Sequence, residues 1–180
     1  MKKLLVMLMA IGVGAVAATA GGSLGVFGSY LDSKDMGAGY GGGLKFKAEL
    51  AKYFAVEARA SCLTQFDEWH GDDGLYVIPL EGALMFNLPL GESPVTLYVG
   101  GGGGYSIIPE ADDVDLDDSF TYFGMGGVEI SLGESVALFA EAQYRVLEVD
   151  GASGDGTDIN FDEKVKFTGI GANAGLLFKF

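Results

Sequence analysis

Cysteine, tryptophan and histidine occur once each in these 180 residues, and proline only four times. Cys62 has no partner to pair with, so the fold is not stapled by disulfides. The one histidine, His70, lies in Asp67-Glu68-Trp69-His70-Gly71-Asp72-Asp73, with no serine close by in sequence. A serine hydrolase needs its nucleophile within hydrogen-bond reach of an imidazole, so this segment reads as surface decoration. Positive charge is also scarce, with 11 Lys and Arg against 25 Asp and Glu. That balance is expected to exclude nucleic acid, which calls for a basic stripe. Beyond the first twenty residues there is no apolar run of the ~20 residues that a spanning helix requires.

The first twenty residues have a layout of their own. Lys2 and Lys3 precede the apolar run Leu4 to Val16, and Ala18-Thr19-Ala20 is a small-x-small site. This order is that of a secretory signal peptide, expected to be removed after Ala20. Residues 1–20 are therefore a signal peptide and residues 21–180 form one domain. Without Lys2 and Lys3 the chain holds 25 acids and 9 bases.

Thirty glycines, together with abundant aromatic and β-branched residues, oppose a helical fold. The last stretch, Phe167 to Phe180, shows what replaces it. Ile170, Ala172, Ala174, Leu176, Phe178 and Phe180 fall on one parity, while Gly169, Gly171, Asn173 and Lys179 fall on the other, with Leu177 the apolar exception. Side chains alternate faces along a strand, so this is a strand with one greasy face. An aromatic strand left at a sheet edge would invite aggregation, whereas a closed barrel has no edge. The final strand, with its aromatic Phe178 and Phe180, resembles the C-terminal signature of bacterial outer-membrane β-barrels. That resemblance implies that the two rings are read as an assembly signal by the outer-membrane assembly machinery.

Similar alternation recurs near residues 23–31, 37–49, 54–64, 75–87, 95–106, 119–132, 136–148 and 164–180. Short connections and longer acidic ones alternate between these segments. The pattern predicts an all-β fold, an eight-stranded antiparallel up-and-down transmembrane β-barrel, with tight turns at one end and long loops at the other. The polar parity is mostly Gly, Ser, Thr and Ala with few charges, which suits a narrow lumen better than a surface washed by water. The greasy face therefore points to lipid. The first and fifth strands read ambiguously. Tyr30, Tyr76, Tyr105, Phe120, Tyr122 and Tyr144 fall near the loop-side ends, and Tyr53, Phe54, Phe86, Phe178 and Phe180 near the turn-side ends, as two aromatic girdles.

The lumen is then expected to hold Lys45, Lys47, Arg59 and Arg145 against Glu49, Glu57, Glu81, Glu129 and Glu141. Eight strands enclose an interior that side chains just fill, and charges removed from water need partners. A salt-bridged plug follows, in preference to an ion path. The run Gly100 to Gly104 lacks the Lys-Ser/Thr of a phosphate loop, so it reads as wall that bends and leaves room for long side chains.

The long loops carry 17 of the 25 acids. Asp112, Asp113, Asp115, Asp117 and Asp118 fail the EF-hand pattern, since Asp118 occupies the position that requires Gly. Weak, millimolar-range Ca²⁺ association with these five is the expectation, and no other cofactor is foreseen.

Over nearly its whole length the chain resembles the small outer-membrane β-barrel family of the OmpA/OmpX type. The resemblance implies a monomeric or weakly associating barrel, with a monomer expected, in the outer membrane of a Gram-negative bacterium, surrounded by lipid and lipopolysaccharide. It also implies a non-enzymatic role in envelope structure or surface interaction. A small pore for ions or apolar solutes, and a lipid-modifying enzyme, are the alternatives.

Overall fold

The computed structural model describes residues 21–33, 37–64, 76–107, 119–149, 165–166 and 168–180. Its strands are β1 (Gly22–Ser33), β2 (Gly37–Ala51), β3 (Phe54–Thr64), β4 (Ile78–Pro89), β5 (Val95–Ile107), β6 (Ser119–Ser131), β7 (Val136–Val149), β8 (Val165–Lys166) and β9 (Gly169–Lys179). Each of the first seven pairs antiparallel with its neighbour in sequence. The short β8 and the long β9 both pair with β7 and form one stave. β9 also pairs with β1, from Ser23↔Lys179 to Ser33↔Gly169, which closes the wall into eight staves.

The register fixes how the staves are staggered. A path of cross-strand partners leaves β7 at Ala137 and passes Leu177, Gly25, Lys45, Arg59, Glu81, Gly104 and Thr121. It returns to β7 at Leu147, ten residues from its start. Such a stagger tilts the strands, by roughly 35–45° in barrels of this kind. The same path places Lys45, Arg59 and Glu81 side by side on three neighbouring strands.

Strand alternation sorts the residues as the sequence pattern requires. On β3, Ala55, Glu57, Arg59, Ser61 and Leu63 are buried inside, while Phe54, Ala60 and Cys62 are exposed outside. The ambiguity of the first and fifth strands is resolved. Ser23, Phe27, Ser29, Leu31 and Ser33 of β1 point inward, as do Tyr98 and Ser106 of β5. Leu24, Val26 and Tyr30, with Leu97, Val99 and Ile107, point outward. Large exposed apolar side chains thus clothe the outside, and buried ions occupy the inside, the reverse of a water-soluble barrel.

Outward aromatics gather at two levels. The tilted rings of Tyr30 and Tyr40 lie 5.2 Å apart near the loop-side ends, as do those of Phe120 and Tyr122 at 4.8 Å. Tyr53, Phe54 and Phe86 meet near the turn-side ends, and Phe46 lies 6.2 Å from Phe180. The turns on that side are tight, and Gly91 takes a left-handed φ of 62° in the β4–β5 turn, where a side chain would strain the backbone.

The glycine run lies in β5, beside β4. A methyl added at Gly104 would collide with the Leu80 carbonyl and lie 2.7 Å from the stem of Glu81. Glycine there admits the Glu81 side chain to the lumen, as expected of this run.

Candidate functional site

Three acids and three bases meet in the middle of the lumen. Glu141 of β7 is the hub. Its Oε2 accepts from Lys45 Nζ at 3.2 Å and from the Tyr98 hydroxyl at 2.9 Å. Its Oε1 accepts from Arg59 Nη1 at 2.7 Å and from Asn173 Nδ2 at 2.8 Å. Arg59 also donates through Nε to Glu81 at 2.9 Å and through Nη2 to Gln143 at 3.0 Å. Arg145 Nη2 approaches Glu81 at 2.9 Å. Glu57 lies 3.1 Å from Lys45 Nζ and 3.8 Å from Arg59 Nη1. All six charged side chains are almost wholly out of water. Charges in such a position persist only when paired and hydrogen-bonded, and here the charges balance.

A second, smaller group lies toward the turns. Glu129 Oε2 accepts from Lys47 at 2.9 Å, and its Oε1 is 2.7 Å from Lys179 Nζ. Lys179 also donates to the Ser131 hydroxyl at 2.9 Å. Ser23 separates the two lysines in the register, being paired with Lys47 on one side and Lys179 on the other. Lys179 is 30 % exposed, so this group opens toward solvent at the rim.

Eight of the nine expected lumen charges are thus buried inside. Glu49 is not: it is exposed at the turn-side end of β2. It pairs in register with the inward Ala55, but this is the last regular β2–β3 pair before the register slips between Glu49 and Ala51, next to the turn. Lys179 takes part instead. Among the described residues the lumen therefore carries five bases and four acids, not four and five. Tyr98, Gln143 and Asn173 add hydrogen bonds to this network, although Glu57 Oε1 and Oε2, Glu81 Oε1 and Arg145 Nε are without a hydrogen-bond partner among the described residues; being uncharged, the three escape a search for ion pairs. Lys179 and Asn173 share the polar parity of the last strand, a signal that could have found them; Tyr98 sits on a strand that reads ambiguously.

Two apolar clusters are also buried in the interior. Phe27, Ala137, Phe139 and Leu177 form one buried cluster, and Ala55, Met85, Tyr98, Phe123 and Met125 another. Leu177, the apolar exception on its parity, is thereby explained: it points inward into the first cluster.

Phe178 and Phe180 lie on the outside, both exposed. Backbone bonds between Gly22 and Phe180, at 3.0 and 3.2 Å, hold Phe180 at the seam. Cys62 is exposed and outward-facing. Residues 1–20, His70 and the acidic cluster Asp112, Asp113, Asp115, Asp117 and Asp118 lie outside the described residues. Among the described residues no group of three or more His, Cys, Asp and Glu side chains is arranged to hold a metal ion.

The sequence matches the family model of the outer membrane protein beta-barrel domain over residues 4–178. Among curated proteins no sequence matches it. Among solved structures it is similar to the outer membrane protein OprG of Pseudomonas aeruginosa, with a TM-score of 0.64 at 18% identity, over 89% of this chain and 96% of that one. Neisserial surface protein A gives a TM-score of 0.63 at 14% identity, with the same coverage. The N-terminal β-barrel domain of Pseudomonas aeruginosa OprF gives 0.52 at 12% identity, over 88% and 97%. At these identities the likeness is one of fold.

Proposed function

Since the chain belongs to the outer membrane protein beta-barrel domain family, we propose that it acts through its wall and loops rather than through its lumen. It is a small outer-membrane barrel whose interior is closed by side chains, and its role is in envelope structure or surface interaction. One observation carries this reading: Glu141, Glu81, Arg59 and Lys45, from four different strands, join across the lumen through contacts of 2.7–3.2 Å. An open pore would leave these groups solvated and apart. Eight staves enclose a space that side chains just fill.

Planar-bilayer recording tests the reading. The purified protein, added to diphytanoylphosphatidylcholine bilayers in potassium chloride, is expected to give no steady conductance. Uniform open channels would instead favour the small pore. Catalysis by the chain is not part of this reading, and lipid A mass spectra of envelopes with and without the protein should be identical.

Export by a cleaved leader belongs to the same proposal, with N-terminal sequencing of the envelope-bound protein expected to begin at Gly21. So does assembly through the outward rings at the seam. Phe180→Ala should lower the amount of barrel assembled in cells while refolding into detergent is nearly unchanged. Equal losses in both would assign Phe180 to stability alone. The lipid around the barrel, including lipopolysaccharide, meets the two aromatic girdles, and a monomer is the expected state on gel filtration. Millimolar Ca²⁺ at the acidic loops would be seen as saturable shifts of loop amide resonances.

A further inference from the structure

The ion network is the conspicuous content of the lumen, but charge alone does not stop ions. Rings of charged side chains attract water and counter-ions, and channels use them as selectivity filters. A closed lumen needs something that excludes water, and apolar constrictions do this by dewetting. The two apolar clusters have that chemistry. One is built from β1, β7 and β9, the other from β3, β4, β5 and β6.

Each cluster presents an aromatic ring to one of the central cations. Lys45 Nζ stands 3.5 Å from the centre of the Phe139 ring, and Arg59 Cζ stands 4.1 Å from that of Phe123. Ring faces at that distance occupy the space that hydrating water would take, while giving the cation an attractive surface. The backbone makes room for such rings. Gly43 and Gly175 flank Phe27 in the register, and a methyl on Gly43 would sit 2.6 Å from the tip of the Phe27 ring. Phe27 in turn meets Phe139 edge-on, at 6.3 Å and 70°. Opposite, Gly127 is paired with Tyr98, and its methyl would lie 2.6 Å from the Tyr98 hydroxyl. Inward glycines and inward rings are thus complementary, and the wall is thinned where a ring must fit.

We infer that Phe139 and Phe123 are the residues that seal the lumen against ions, and that the central ion network is not the barrier. This rests on the closed-lumen reading and assigns closure to named side chains. The charges pair with one another, and the rings keep water out.

The experiment is planar-bilayer recording in potassium chloride on the full chain and three variants. Each variant is checked first for the heat-dependent gel shift of a folded barrel. Phe123→Ala with Phe139→Ala removes both rings and should produce uniform conductance steps. Lys45→Met with Glu57→Gln removes one acid and one base, leaves Glu81 and Glu141 paired with Arg59 and Arg145, and should remain silent. Phe123→Leu with Phe139→Leu keeps apolar bulk and should also remain silent. Conduction by the charge variant, conduction by the leucine variant, or silence of the alanine variant would each overturn the assignment. If the double alanine variant gives no folded band, Phe123→Ala and Phe139→Ala are recorded singly in its place: conductance steps are expected from at least one, and silence of both overturns the assignment. Conduction by the unmutated protein is a different outcome, which defeats the closed-lumen reading itself.

Discussion

The two charged groups inside the barrel solve the same problem with different margins. The central six side chains carry three charges of each sign and bond across the lumen through Glu141 and Glu81. The turn-side trio places two ammonium groups on one carboxylate, and one of them, Lys179, reaches the rim at 30 % exposure. The first group is almost wholly buried, so its charges must balance among themselves. The second can tolerate an imbalance of charge, because solvent takes up the remainder. Whether an ion pair matters here is decided by access to water as much as by distance: the Lys179–Glu129 contact at 2.7 Å is as short as Arg59–Glu141.

The largest effect should follow from loss of the hub. Glu141→Gln keeps the volume but leaves Lys45 and Arg59 each without their shared carboxylate, and breaking one partner of a buried pair costs about 3–5 kcal/mol. Urea unfolding of the refolded protein in lipid vesicles measures it. A smaller loss is expected from Glu129→Gln, on the order of 1–3 kcal/mol, because Lys47 stays buried while Lys179 can turn to water. If this variant proved as damaging as the first, access to solvent would not be what distinguishes the two groups. Lys179→Met should be the mildest, about 0–1 kcal/mol as for half-exposed ion pairs, since Glu129 keeps Lys47. A loss above about 2 kcal/mol in the same titration would exceed that range and show that the trio is as sealed as the centre.

Much of the architecture was legible in the sequence. Period-two alternation identified all eight staves and the inward parity of β2, β3, β7 and the last strand, because one apolar face and one polar face are imposed by the two environments of the wall. The glycine-rich fifth strand resisted, since glycine on both faces erases the alternation; only the pairing with β4 and β6 shows that Tyr98 and Ser106 face inward. For the candidate site, parity supplied the members but not the partners. Lys45 and Glu141 are 96 residues apart, and Lys47 and Glu129 are 82 apart. Who meets whom follows from the stagger of the staves, which no local pattern encodes. Glu49 illustrates the limit from the other side: its parity was right, but it stands at the last regular pair before the turn and is exposed there.

The seam between β1 and β9 bears on how the molecule forms. It joins Ser23 to Lys179, near the two extremes of the described chain, through paired residues that continue up to Ser33 and Gly169. Until those strands meet, β1 and β9 each present a row of unpaired amides and carbonyls, and in hydrocarbon every such group costs several kcal/mol. A half-built wall is therefore not a stable intermediate within the bilayer. Contacts this distant in sequence also close slowly, because the intervening loop must surrender its entropy before any pairing rewards it. The folding of this barrel should accordingly be a single late event, in which insertion and closure coincide, and the last strand sets the time at which the first one becomes structured.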